Sequence, residues 1–116
     1  MNRTYVSTIL RTLLAVGLTG GAMLVQAQAV DVAAAEKLIT DSKCLKCHSV
    51  DKKKDGPSFK VTAAKYKGKA DAEAKLVTHV TTGPMVEIDG VKEEHTKIKS
   101  KDDAAIKNVV HYILSR

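Results

Sequence analysis

Apolar residues recur at helical spacing in four stretches of the region after residue 30, and alternate in a fifth. Ala35, Leu38, Ile39, Ser42 and Leu45 share a face and predict a helix over 31–45. Phe59, Thr62, Ala63 and Tyr66 do the same over 58–66, with Pro57 favourable at the first helical position. Ala72, Leu76, Val77 and Val80 form the inward face of a third helix over 71–82, stopped by Gly83-Pro84. Ile106, Val109, Val110, Ile113 and Leu114 make the apolar stripe of a last helix. Ser100 is its expected N-cap, Asp102 and Asp103 lie in the first turn, and Lys107 and Arg116 face water. Residues 83–99 form a long connection for so small a chain. Its middle, Val86 to Val91, alternates around Asp89-Gly90 and predicts a short hairpin. No internal repeat or linker interrupts the pattern, so the reading is one all-α domain.

The first 29 residues have a different character. Arg3 and Arg11 precede or enter an apolar run, Leu13 to Val25, and Val25-Gln26-Ala27 and Ala27-Gln28-Ala29 are small-x-small sites. This reads as a secretory signal peptide over 1–29, cleaved near 27 or 29, followed by a single domain over 30–116. The run is shorter than the ~20 residues a membrane span needs, so no stable membrane insertion is expected after cleavage. A domain of this size is marginal without a staple, metal or cofactor. Its aromatic content is low: Phe59 is the only Phe and Trp is absent. A bound cofactor would supply the missing apolar mass, and the chain without it should fold poorly. The formal charge of +6 falls by two with the leader. That modest excess, without an aromatic stacking platform, argues against nucleic-acid binding.

The chemistry concentrates at Cys44-Leu45-Lys46-Cys47-His48, which reads C-x-x-C-H, the pattern of covalent haem attachment. Two thiols one helical turn apart can add to the two vinyl groups of one haem, and His48 then reaches the iron from the proximal side. A thioredoxin-type redox pair would expect a βαβ context, which the pattern lacks. A structural zinc site would need two further ligands, but no third Cys exists and the other His residues stand singly.

Four helices, C-x-x-C-H at the end of the first, and a capped apolar last helix together resemble the class I c-type cytochromes, in particular the short bacterial periplasmic monohaem type. Gly56-Pro57-Ser58-Phe59 and Ala63-Ala64-Lys65-Tyr66 extend the resemblance over the whole mature chain. It implies the class I cytochrome c fold: about four helices around one haem c attached through Cys44 and Cys47, with a short hairpin in the distal loop. It also implies that Pro57 O accepts a hydrogen bond from His48 Nδ1–H, fixing the ring and strengthening the ligand. Most members place a Met in the loop before the last helix as the second axial ligand. Here that loop offers His95, five residues before Ser100, and Met85, fifteen before it. Chain position favours His95 over Met85. If Val86 and Ile88 share one face of the hairpin, alternation would turn Met85 away from at least Val86. His79 and His111 lie on helices and read as surface or packing residues.

The resemblance makes the expected role single-electron transfer between redox proteins in the periplasm rather than enzymatic catalysis, with bis-His ligation lowering the potential relative to Met-ligated members. The alternative is a haem-based ligand-binding or sensor protein with a displaceable distal ligand. Lys43, Lys46, Lys52, Lys53, Lys54 and Lys60 cluster near the attachment motif and would steer partners with acidic docking surfaces.

Overall fold

The computed structural model describes residues 28–116; the leader expected over 1–29 lies almost wholly outside them. Among the described residues four α-helices and one hairpin form: α1 (Val32–Asp41), α2 (Phe59–Tyr66), α3 (Ala72–Thr82), β1 (Met85–Ile88), β2 (Val91–Glu94) and α4 (Asp103–Leu114). A single 3-10 turn, Cys44–Lys46, follows α1.

The core lies where α1, α2 and α4 meet. Ala35 and Ile39 of α1, Phe59 of α2, and Ile106, Val109, Tyr112 and Ile113 of α4 are buried together with Ile98. The stripe read from α4 is therefore the packed one. Tyr112 joins it, with its ring edge-on to Phe59 at 6.4 Å between centroids. Its hydroxyl reaches the helix edge and donates to Glu36 Oε1 at 2.9 Å, so the buried ring leaves no polar atom unsatisfied. At the start of α1, Asp31 N–H donates to Asn108 Oδ1 at 2.9 Å and Asn108 Nδ2 donates to Asp31 O at 2.8 Å. This reciprocal pair ties the start of α1 to α4.

Three boundaries differ from the expected ones. Helix α1 stops at Asp41 instead of running to Leu45, because Lys43 adopts φ 61° and turns the chain before the cysteines. Leu45 is consequently 41% exposed rather than part of the helix face, while Ser42 is fully buried. Pro57 is not the first helical residue: Ser58 is the N-cap of α2, and its Oγ accepts from Val61 N–H. The cap of α4 is Asp102, whose Oδ1 accepts from Ala104 N–H at 3.0 Å. Ser100 instead braces that cap, accepting from Asp102 N–H at 3.1 Å. An ionised carboxylate at the positive helix end outcompetes the hydroxyl two residues earlier. α3 and the hairpin fall where expected, with Gly83 at φ 62° ending α3 and Asp89-Gly90, both at positive φ, closing the β1–β2 turn.

Candidate functional site

The hairpin, the end of α3 and the segment after α1 enclose a cavity of about 530 Å³. Cys44, Cys47 and His48 line it, as do Phe59, His79 and His95. The volume is in the range of small-molecule and cofactor sites.

The proximal wall is built locally. After α1 the chain makes its 3-10 turn, in which Cys47 N–H and His48 N–H both return to Cys44 O, at 3.2 and 3.0 Å. This brings both thiols and the imidazole to one side of the cavity. Gly56 N–H donates to Cys47 O at 2.8 Å and Phe59 N–H to Ser49 O at 2.9 Å, closing the loop between His48 and α2. His48 Nδ1 lies 2.7 Å from Pro57 O. A carbonyl only accepts, so Nδ1 carries the proton and Nε2 keeps its lone pair. Gly56 must lack a side chain here: a Cβ would stand 2.6 Å from His48 Cε1 and 2.9 Å from His48 Nδ1. Phe59 stacks on the imidazole at 5.8 Å with a 25° interplanar angle. Burial pushes the Cys44 thiol pKa up, with a smaller contribution from Cys47.

The distal wall is assembled from residues far apart in sequence. His95 N–H donates to Pro84 O at 2.9 Å, and Ile98 N–H to Val80 O at 2.8 Å. These two bonds lay the segment after β2 along the end of α3. Lys99 N–H then donates to the buried Ser42 Oγ at 2.9 Å, joining that segment to α1. Gly83 permits the approach, since a Cβ there would meet His95 O at 2.6 Å. The His95 ring centre ends 6.0 Å from that of His48 and 4.4 Å from that of His79. Desolvation lowers the pKa of both His95 and His79, reinforced by neighbouring imidazoles, which favours the neutral form that can act as a ligand. Among the described residues, buried His95 Nδ1 has no hydrogen-bond partner of full geometry.

Of the residues expected to form a site, Cys44, Cys47, His48, Pro57 and His95 come together. Met85, the other distal candidate, is 62% exposed and outside the cavity lining. Val86 and Ile88 line the cavity from the opposite face of β1, as the alternation implied. His111 pairs with Glu73 away from the cavity. His79, read from the sequence as a surface or packing residue, packs on His95, and its place in the cavity is what sequence reasoning did not foresee. Its signal was helical phase, since it stands seven residues after Ala72 and three after Leu76, both buried.

A helical domain with paired thiols and an imidazole on one wall of a cofactor-sized cavity, and a second imidazole on the other, is a covalent-haem fold by its donor set. The comparisons agree. The family model described as Cytochrome c matches residues 32–116, and the chain belongs to that family, in its class I form. It is 57% identical to the class 1 cytochrome MtoD from Sideroxydans lithotrophicus ES-1, whose crystal structure superposes with a TM-score of 0.72 over 75% of this chain and 97% of that one. Cytochrome c2 of Rubrivivax gelatinosus is 33% identical over 78 residues, 67% of this chain and 92% of that protein. Cytochrome c-551 of Pseudomonas aeruginosa is 42% identical over 48 residues, so the match spans 46% of that relative's length. Membership brings one covalently attached haem c, and Cys44 and Cys47 stand in the C-x-x-C arrangement it requires.

Proposed function

We propose that this protein is a periplasmic single-electron carrier whose haem c is held by Cys44 and Cys47, with His48 as proximal and His95 as distal axial ligand. One observation carries the ligand assignment: the His48 and His95 ring centres lie 6.0 Å apart in the same cavity. A metal–imidazole bond is about 2 Å long, and a ring nitrogen lies about 1 Å from its ring centre. Two imidazoles sharing one metal therefore have centres about 6 Å apart.

The bound haem supplies reversible one-electron chemistry at its iron. The chain's residues do the rest. Pro57 O holds the proton on His48 Nδ1, which leaves Nε2 as the donor atom and raises its basicity. Phe59, Val86 and Ile88 line the cavity with apolar side chains. Two strong nitrogen ligands would leave no open coordination position, which favours electron transfer over catalysis or small-molecule sensing. They would also set a lower potential than a Met ligand.

Export is part of the proposal, with the leader removed near residue 27 or 29. Partner docking belongs to the attachment side. Lys46, Lys52 and Lys53 are exposed there and Lys43 lines the cavity, whereas Lys60 is paired with Asp51 and Lys54 donates to Leu45 O. These ammonium groups, unpaired among the described residues, suit an acidic partner, whose association should slow as salt is added.

The test is the ferric absorption spectrum of the holoprotein and of His95→Ala. Absence of the long-wavelength sulfur-to-iron band in a low-spin wild type, with a high-spin His95→Ala protein, is the expected result. A sulfur-to-iron band in the wild type would make a Met the ligand and overturn the assignment.

A further inference from the structure

We propose that His79 is the positioning residue of the distal ligand: its ring fixes the plane of the His95 imidazole and keeps it in place against competing ligands. This rests on the reading of His95 as distal ligand.

Metal-ligating imidazoles normally have their orientation set by an outer partner. His48 has one, the Pro57 carbonyl at 2.7 Å. For His95 the Thr96 backbone acts only weakly on the ring, and among the described residues its buried Nδ1 has no hydrogen bond of full geometry. What touches its ring instead is His79, edge to face, with 4.4 Å between centroids and a 66° interplanar angle. Aromatic rings in this arrangement attract through edge and face charge as well as through contact area.

The scaffold holds that contact on both sides. His79 lies in the last turn of α3, four residues before Gly83. The backbone of His95 is bonded to Pro84 O and that of Ile98 to Val80 O, so the peptide on each side of the ring is anchored to the same helix end. With the backbone held, the orientation of the His95 ring depends on its side-chain contacts, and the His79 ring packs against it at 4.4 Å. Backbone bonds thus position the residue, and the second ring positions its plane.

The experiment compares wild type, His79→Ala and His79→Phe as haem-loaded proteins. Two readouts respond to the distal ring rather than to folding: the largest g value of the low-spin ferric signal, which follows the angle between axial imidazole planes, and the rate at which cyanide displaces the distal ligand. His79→Ala should remain low-spin, show a moved g value and bind cyanide about tenfold faster, the lower end of the usual effect of losing an outer partner. His79→Phe keeps a flat ring in contact and should restore both readouts toward wild type. Wild-type g value and cyanide rate in His79→Ala would overturn the proposal while leaving the ligand assignment intact. So would a His95→Ala protein that stays low-spin until His79 is also replaced, because His79 would then be a mobile reserve ligand rather than a fixed support. A sulfur-to-iron band in the wild type overturns the ligand assignment first, and this inference with it.

Discussion

The two walls of the cavity hold the same kind of side chain by opposite means. On the proximal wall, His48 is fixed within the short segment from Cys44 to Pro57: its own turn, Gly56 closing behind it, and Pro57 O on its Nδ1. On the distal wall, His95 sits at the end of a hairpin whose β2 residues are all exposed, and it is located by bonds to Val80, Pro84 and Ser42. Local closure costs little chain entropy and tolerates little change in shape. Long-range docking leaves room for variation in the loop but makes the ligand depend on distant residues. A covalent attachment motif belongs with the first kind of wall, because both thiols and the imidazole must be in register with one rigid group.

Gly56→Ala attacks the proximal wall where it is tightest, and the largest effect is expected there. The added methyl would fall 2.6 Å from His48 Cε1, against an imidazole that Pro57 and Phe59 hold from other sides. Overpacking of this kind costs about 1–3 kcal/mol. The denaturation midpoint of the holoprotein should fall accordingly, and the low-spin ferric spectrum should change, since the strain bears on the ligand itself. An unchanged midpoint and spectrum would mean that the proximal loop yields, and that the two walls do not differ in rigidity.

The same contrast explains what could be read from the sequence. The proximal wall was legible because its parts are adjacent: C-x-x-C-H and Gly56-Pro57 are short motifs whose geometry is nearly implied by their spacing. The helices were legible because Ala35 and Ile39, Ala72 and Leu76, and the α4 stripe keep strict phase. His95 was favoured over Met85 from its distance to the last helix; in the fold His95 lines the cavity and Met85 is exposed. The break in α1 was not legible. Lys43 takes a left-handed conformation that no Gly or Asn marks, and it is compatible with Ser42 turning inward to receive Lys99 N–H. A bond between residues 57 apart leaves no local trace in the chain. The contact between His79 and His95 was hidden for the same reason.

Ser42→Ala tests the long-range joint. Ser42 is fully buried and its Oγ accepts from Lys99 N–H, the only side-chain bond found between α1 and the distal segment among the described residues. Its loss leaves the part-buried Lys99 N–H without its partner, at about 1 kcal/mol. The expected outcome is a moderate fall in midpoint together with faster amide exchange at Lys99 and Ile98, while the His48 environment stays as in wild type. Loosening of the proximal amides to the same degree would show that the walls share one cooperative unit.

Gly90→Ala should have the smallest effect, and it completes a matched pair with Gly56→Ala: one methyl added to each wall. Gly90 has φ +81° and nothing within 4 Å of the added carbon, so the penalty is conformational and not steric. Asp89 beside it already carries φ 50°, and the two together make the turn that registers Ile88 with Val91. Forcing an L-residue into the left-handed region costs about 1 kcal/mol, but that cost is levied on a hairpin that can open without disturbing the core of α1, α2 and α4. Faster exchange of the hairpin amides is therefore expected, with a global midpoint close to wild type. Ile88 and Val86 line the cavity, so a hairpin fully coupled to the core would transmit the strain. In that case Gly90→Ala would lower the midpoint as far as Gly56→Ala does, and the distal wall would have to be counted as rigid as the proximal one.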